Sequence, residues 1–176
     1  LNEHKASTPN AKYFLSIDRL DYTKGIAQRL KAFEYFLKKY PQYREKVRLI
    51  ILAVPSRSKV PQYQRLKKEI DELVGRINGE LSTVSWTPIW YFYRSLAFDN
   101  LIDLYTSCDI AWLTPIRDGM NLVAKEYIAT RTEKTGVLIL SEMAGAANEM
   151  NEALLINPNN FEQVADSLYR AINMPA

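Results

Sequence analysis

Short apolar runs alternate with amphipathic helical patterns along most of the chain, and this alternation constrains the fold more than any other feature. Several runs carry apolar residues at consecutive positions instead of at every second position. Strands of this kind occur where helices cover both faces of a parallel sheet. The pattern predicts six strands, at residues 13–17, 47–54, 84–86, 110–114, 137–140 and 154–156.

Three segments carry apolar residues at steps of three and four, which places one apolar stripe along a helix. These stripes are Ile26, Leu30, Phe33, Leu37 and Tyr40, then Tyr63, Leu66, Ile70, Leu73 and Ile77, and finally Phe161, Val164, Leu168 and Ile172. The repeated strand-then-helix order predicts an α/β fold, a doubly wound, mainly parallel, Rossmann-like sheet with right-handed crossovers. Ligands of such sheets bind beyond the carboxyl ends of the strands.

The length of 176 residues is enough for one globular core. We expect a polar leader over residues 1–11 and one domain over residues 12–176. No apolar run approaches the roughly 18 residues of a membrane span, and the leader lacks the apolar core of a secretory signal. A cytoplasmic protein without a membrane partner is therefore expected.

Charge and metal-binding residue types exclude several functions. The 23 basic and 20 acidic residues give a net charge of +3, which is too small an excess to indicate a nucleic-acid partner. One cysteine, Cys108, and one histidine, His4, argue against an internal disulfide, a zinc site and Ser-His-Asp hydrolysis. We expect no metal and no cofactor, and Cys108 is expected to be a small buried apolar residue. The aromatic residues between Trp86 and Phe98 are expected to lie mostly in the core.

The first candidate site is the loop after the first strand, with the sequence DRLDYTKG at residues 18–25. The guanidinium of Arg19 and the ammonium of Lys24 are a suitable pair for a diphosphate, and Gly25 allows a tight turn. The loop lacks the glycines of a Walker A motif. The alternative is that Arg19 pairs with Asp18 or Asp21 while Lys24 is solvated.

The second candidate site, TPIRDGMNLVAKE at residues 114–126, follows the strand that ends at residue 114. Gly119 permits close backbone approach, and the amides of residues 120–123 at the start of a helix attract an anion. Asp118 and Glu126 accept hydrogen bonds from sugar or ribose hydroxyls. The alternative is that Asp118 only caps the helix and Glu126 is only a surface charge. Arg57, after the second strand, faces the same sheet edge and is a weaker phosphate candidate.

Six segments resemble the trehalose-6-phosphate synthases, in order and at fitting spacing. They are DRLDYTKGI at 18–26, AVPSR at 53–57, GRINGE at 75–80, TPIRDGMNLVAKEY at 114–127, GVLILSEMAGAA at 136–147 and ALLINP at 153–158. The likeness covers residues 12–174, and the stretch 118–127 is its most specific part. The resemblance implies the carboxyl-terminal half of a retaining glycosyltransferase of the two-domain GT-B fold, the half that binds UDP-glucose, with the amino-terminal domain absent.

The resemblance also implies roles for individual residues. Arg19 and Lys24 match the pair that holds the donor phosphates, and Asp118 matches the group that grips the glucose hydroxyls; these three are the implied catalytic residues. The implied donor-binding residues are Arg19, Lys24, Phe98, Asp118, Gly119, Met120, Asn121, Leu122, Val123, Ala124, Lys125 and Glu126. Within that set, Glu126 matches the residue that meets the ribose. Arg57 matches an arginine that contacts the phosphate of the acceptor.

The reaction implied by the resemblance is transfer of glucose from UDP-glucose to glucose 6-phosphate with retained configuration, without a metal. Arg19 and Lys24 would neutralise charge on the departing diphosphate. Without its amino-terminal domain, the chain is expected to bind UDP or UDP-glucose weakly and to be inactive alone. Two alternatives remain open: a regulatory homologue that binds sugar phosphates or partner proteins, and a module for another sugar nucleotide.

Overall fold

The computed structural model describes residues 11–56, 59–113, 137–141, 154–157 and 160–173. Its strands are β1 (Lys12–Arg19), β2 (Val47–Val54), β3 (Ile89–Tyr93), β4 (Ile110–Leu113), β5 (Val137–Ser141) and β6 (Leu154–Ile156). They form one sheet in the order β3-β2-β1-β4-β5-β6, and every neighbouring pair is parallel. This is the strand order of the dinucleotide-binding Rossmann sheet, which confirms the predicted fold class.

Helices cover both faces of this sheet. The described helices are α1 (Ile26–Lys39), α2 (Pro61–Leu81), α3 (Phe98–Ser107) and α4 (Phe161–Asn173), with one-turn 3-10 helices at Tyr22–Lys24 and Pro41–Tyr43. The helices α1, α2 and α4 contribute buried residues to the core on one face. Apolar residues of α3 pack against the core on the opposite face. The sheet is therefore doubly wound. Among the described helices, none combines the length and apolar character needed to cross a membrane.

The side chains of β1 alternate between the two cores, as the two-residue period of a strand requires. Phe14 lies in the core beneath α1, where its ring contacts those of Phe33 and Trp112. Leu15 and Ile17 lie in the core beneath α3. The same alternation places Ser16 and Asp18 on the face of Phe14, toward α1.

The predicted strand at residues 84–86 is wrong. Val84 is fully exposed, and Trp86 is buried in the core, where its indole Nε1 donates to the carbonyl of Val47 at 2.9 Å. The third strand is instead β3, at the edge of the sheet, where the aromatic side chains of residues 90–93 are half-buried. Trp90, for example, carries the guanidinium of Arg48 over its ring at 4.0 Å. An edge strand has a neighbour on one side only, so its side chains need not all be buried. The apolar pattern of β3 therefore does not distinguish it from the other aromatic residues nearby.

The region between β3 and β4 contains one helix that the sequence pattern did not predict. This is α3, whose Leu101, Ile102 and Leu104 pack on the core. Cys108, directly after this helix, is completely buried, which confirms its predicted packing role. The expected leader falls on residues 1–11, of which residues 1–10 lie outside the described part of the chain.

Candidate functional site

The first candidate loop lies at the carboxyl edge of the sheet. In the parallel pairing of β1 with β2, Arg19 stands opposite Val54, and the amide of Leu20 donates to the carbonyl of Val54 at 2.9 Å. On the other side, β1 pairs with β4. The strand order reverses between β1 and β4, and ligands of doubly wound sheets bind at such a point. Residues 20–25, called the β1 loop below, therefore border the expected ligand crevice.

The β1 loop is built around the carboxylate of Asp21. This carboxylate accepts hydrogen bonds from the backbone amide and the hydroxyl of Thr23, both at 2.9 Å. These bonds cap the 3-10 turn Tyr22–Lys24. Gly25 then takes a left-handed conformation, with φ of 69°, and α1 begins at the next residue. The predicted tight turn at Gly25 is confirmed.

Helix α2 anchors the outer side of the same loop. The hydroxyl of Tyr22 donates to the carbonyl of Gln62 at 2.6 Å, and the Tyr22 ring lies 6.1 Å from that of Tyr63. The Tyr63 hydroxyl also approaches the Asp21 carboxylate, at 3.4 Å. The loop is consequently fixed against the first turn of α2.

The side chain of Arg19 is exposed at the edge of the sheet. Within the described residues, its side chain makes no hydrogen bond or ion pair. The alternative that Arg19 pairs with Asp18 is wrong, because Asp18 is bound to Arg29. The positive charge of Arg19 instead attracts the carboxylate of Asp21 and lowers the pKa of that group. Lys24, at the end of the 3-10 turn, is half-buried.

A buried ion pair lies directly beneath the loop. Arg29 Nη1 donates to Asp18 Oδ2 at 2.9 Å, and the side chains of these two residues are 0% and 4% exposed. The same nitrogen contacts the hydroxyl of Ser16, while Nη2 donates to the carbonyl of Lys24 at 3.0 Å. Arg29 is not among the site residues predicted from the sequence. Its position three residues after Ile26 on the apolar stripe of α1 was the available signal.

Burial alone would raise the pKa of Asp21. The hydrogen bonds from Thr23, the charge of Arg19 and the hydroxyl of Tyr63 outweigh it, and the pKa lies below its usual 3.8. A carboxylate with a lowered folded-state pKa stabilises the fold above its unfolded-state pKa. That stabilisation is lost as the pH falls through the lower folded-state value.

Replacing Asp21 with alanine should lower the free energy of unfolding by about 1 kcal/mol at pH 7, since the turn loses its cap. Asp21→Asn keeps an acceptor oxygen and should lose less. Urea unfolding at pH 7 and at pH 3 measures both effects. The difference between the unchanged chain and Asp21→Asn should shrink at pH 3, because the carboxyl of the unfolded chain, with its higher pKa, already binds a proton there. An equal difference at both pH values would contradict the role of the ionised carboxylate.

Several predicted site residues lie outside the described residues. These are Arg57 and the whole set Asp118, Gly119, Met120, Asn121, Leu122, Val123, Ala124, Lys125 and Glu126. Phe98 opens α3, and its side chain is also outside the described part. The described strands nevertheless show where the segments that carry Arg57 and Asp118 begin. The first follows β2, which ends at Val54, and the second follows β4, which ends at Leu113; these two strands flank β1. The described residues contain no group of three metal-binding side chains.

Known proteins are similar to this chain in both sequence and fold. The chain is 51% identical over 175 residues to the UDP-forming alpha,alpha-trehalose-phosphate synthase A of Dictyostelium discoideum, which covers 99% of this chain and 24% of that relative. A solved structure from E. coli bound with UDP-2-fluoro glucose has a TM-score of 0.96 at 41% identity, covering 99% of this chain and 39% of that one. The synthase of Burkholderia xenovorans in complex with glucose-6-phosphate has a TM-score of 0.94 at 40% identity, covering 99% and 39%.

The extent of these matches decides what they show. The chain spans 22% to 37% of the length of the curated relatives that it matches. The model of glycosyltransferase family 20, by contrast, matches all of residues 1–176. A match over the whole chain, together with a shared fold at about 40% identity, leads to one conclusion: the chain belongs to glycosyltransferase family 20.

Proposed function

We propose that this chain is the carboxyl-terminal, donor-binding half of an α,α-trehalose-6-phosphate synthase. The enzyme transfers glucose from UDP-glucose to glucose 6-phosphate with retained configuration. The observation that carries the proposal is the placement of Arg19, at the end of β1, and Lys24, in the fixed β1 loop, at the point where the strand order reverses. Relatives that are UDP-forming synthases support it. The proposed domain is residues 12–176, after a leader over residues 1–11.

The proposed role of Arg19 and Lys24 is to bind the donor diphosphate. Asp18 is already paired with Arg29, and the charge of Arg19 acts on the carboxylate of Asp21. The first turn of α1 follows directly, and its N-cap residue, Gly25, has no side chain to cap the amides. A helix N-terminus and two cations attract a diphosphate together. As the glycosidic bond breaks, negative charge builds on the departing UDP, and fixed cations stabilise that charge.

The remaining proposed site residues continue from the neighbouring strand ends. Asp118 would accept hydrogen bonds from glucose hydroxyls and act with the two cations in catalysis. Glu126 would bind the ribose, and Arg57 the acceptor phosphate. The other proposed donor contacts are Phe98, Gly119, Met120, Asn121, Leu122, Val123, Ala124 and Lys125. The starting points of these segments at β2, α3 and β4 support a shared site beside the β1 loop.

The proposed partners follow from the reaction. They are UDP-glucose or UDP, glucose 6-phosphate, and an amino-terminal domain that completes the acceptor side. Solved relatives with UDP-2-fluoro glucose and with glucose-6-phosphate support the two ligands. The chain alone would bind the donor and not turn over, because half of the cleft would be missing. We place the enzyme in the cytoplasm, where the single buried thiol of Cys108 stays reduced.

Calorimetric titration of the chain with UDP tests the proposal. Arg19→Ala combined with Lys24→Ala should weaken UDP binding by about 100-fold, since two charge-assisted bonds contribute about 1.5 kcal/mol each. The matched control is Lys38→Ala with Arg76→Ala, which removes the same two charges from ion pairs with Glu34. The control should bind UDP like the unchanged chain. UDP binding that survives loss of Arg19 and Lys24 would contradict the proposal.

A further inference from the structure

The buried side chain of Arg29 joins both ends of the segment that carries the two loop cations. Asp18, which it binds at 2.9 Å, directly precedes Arg19. The carbonyl that accepts from its other terminal nitrogen, at 3.0 Å, is that of Lys24 itself. We propose that Arg29 is a positioning residue for diphosphate binding, which clamps the β1 loop so that Arg19 and Lys24 face the same ligand. This inference rests on the function proposed above.

Arg29 acts through the loop and not on a ligand. Its side chain is 0% exposed, and its terminal nitrogens are occupied by Asp18, Ser16 and the Lys24 carbonyl. The negative charge of Asp18 also offsets its positive charge. Arg29 therefore affects a ligand indirectly, through the backbone conformation that it imposes on Lys24.

The contacts require the shape of a guanidinium. One terminal nitrogen binds the side chains of β1, and the other binds the loop carbonyl. The planar fork of arginine presents both nitrogens in fixed directions, whereas a lysine ammonium is a single point charge on a flexible stem. Lysine at position 29 can thus restore the charge pair with Asp18 without restoring the clamp.

Two further contacts tie the first residues of the loop to neighbouring elements. Leu20 is held by Val54, and Tyr22 is held by Gln62. The clamp at the Lys24 carbonyl holds the opposite end, just before the left-handed Gly25. Loss of Arg29 should consequently loosen the position of Lys24 while the strands remain paired.

Hydrogen–deuterium exchange tests the clamp without any ligand. The variant is Arg29→Met with Asp18→Asn, which avoids leaving a buried charge unpaired. Exchange in the peptide 19–25 should rise at least tenfold, while the β2 peptide 47–54 stays protected. The matched control is Arg48→Met. Arg48 likewise donates to a carbonyl, that of Thr87, but it is half-buried and lies at the amino end of β2. Unchanged exchange in residues 19–25 of the Arg29 variant would overturn the proposal.

Titration with UDP then tests whether the clamp matters for binding. The Arg29→Met and Asp18→Asn double variant should bind UDP at least tenfold more weakly, and Arg48→Met should bind it normally. Arg29→Lys should unfold near the temperature of the unchanged chain and still bind UDP weakly. Full UDP affinity in either Arg29 variant would overturn the proposal alone, provided that loss of Arg19 and Lys24 abolishes binding. Absence of UDP binding by the unchanged chain would overturn this inference together with the proposed function.

Discussion

Replacing Asp18 with alanine should lower the free energy of unfolding by about 3–5 kcal/mol, the usual cost of breaking a buried ion pair from one side. The physical reason is the position of its partner. The guanidinium of Arg29 is 0% exposed and lies 2.9 Å from the Asp18 carboxylate. Without that carboxylate, the buried positive charge loses its anionic partner and keeps the neutral acceptors Ser16 and the Lys24 carbonyl. Urea unfolding of the two chains measures the difference.

Two companion variants separate charge from packing at this pair. Asp18→Asn keeps an oxygen acceptor toward Arg29 and should lose less stability than Asp18→Ala. Asp18→Leu combined with Arg29→Met removes both charges and should recover much of the loss, because a buried pair can be replaced by apolar side chains at little cost. A loss of less than about 1 kcal/mol for Asp18→Ala would contradict the buried pair, since that is the value of an exposed one.

Truncation of Trp112 to alanine should also lower the free energy of unfolding by about 3–5 kcal/mol, through loss of apolar burial and the cavity that remains. Trp112 is completely buried on β4. Its ring centroid lies 6.2 Å from that of Phe14 on β1 and 6.3 Å from that of Phe33 on α1. The side chain thus joins two strands and a helix beneath the point where the strand order reverses. Thermal or urea unfolding measures the loss.

Trp112→Phe is the matched control for this prediction. The smaller ring keeps most aromatic contacts, and it removes an indole Nε1 that finds no hydrogen-bond partner among the described residues. Leaving such a group unpaired costs about 1–3 kcal/mol, which offsets part of the lost volume. Trp112→Phe should therefore be much more stable than Trp112→Ala. Equal losses in the two variants would contradict a packing role for the ring.

The parts of the fold that were predictable depend on local patterns. Strands β1 and β2 carry apolar residues at consecutive positions, because their neighbours in the sheet and the covering helices bury both of their faces. Strand β3 was misplaced because it lies at the edge and carries half-buried aromatic side chains. Its register with β2 decides its position, and no local pattern encodes that register.

The candidate site divides in the same way. The location of Arg19 and Lys24 was predictable because Arg19 ends β1 and Lys24 lies in the loop that follows, and the carboxyl ends of parallel strands share one edge of the sheet. The ion pair beneath them was not predicted from the sequence, since Arg29 and Asp18 meet only when α1 packs on β1. The contact of Tyr22 with Gln62 likewise depends on where α2 docks, 40 residues away in the chain.

The most direct test of the central claim is a crystal structure of the chain with UDP bound. The account predicts diphosphate oxygens within about 2.7–3.2 Å of the Arg19 guanidinium and the Lys24 ammonium, the range of ordinary hydrogen bonds. The diphosphate should lie between β1 and β4 at the carboxyl edge of the sheet. A diphosphate bound elsewhere, such as the cavity lined by Asn160, Gln163 and Arg170 along α4, with Arg19 and Lys24 left in solvent, would contradict it.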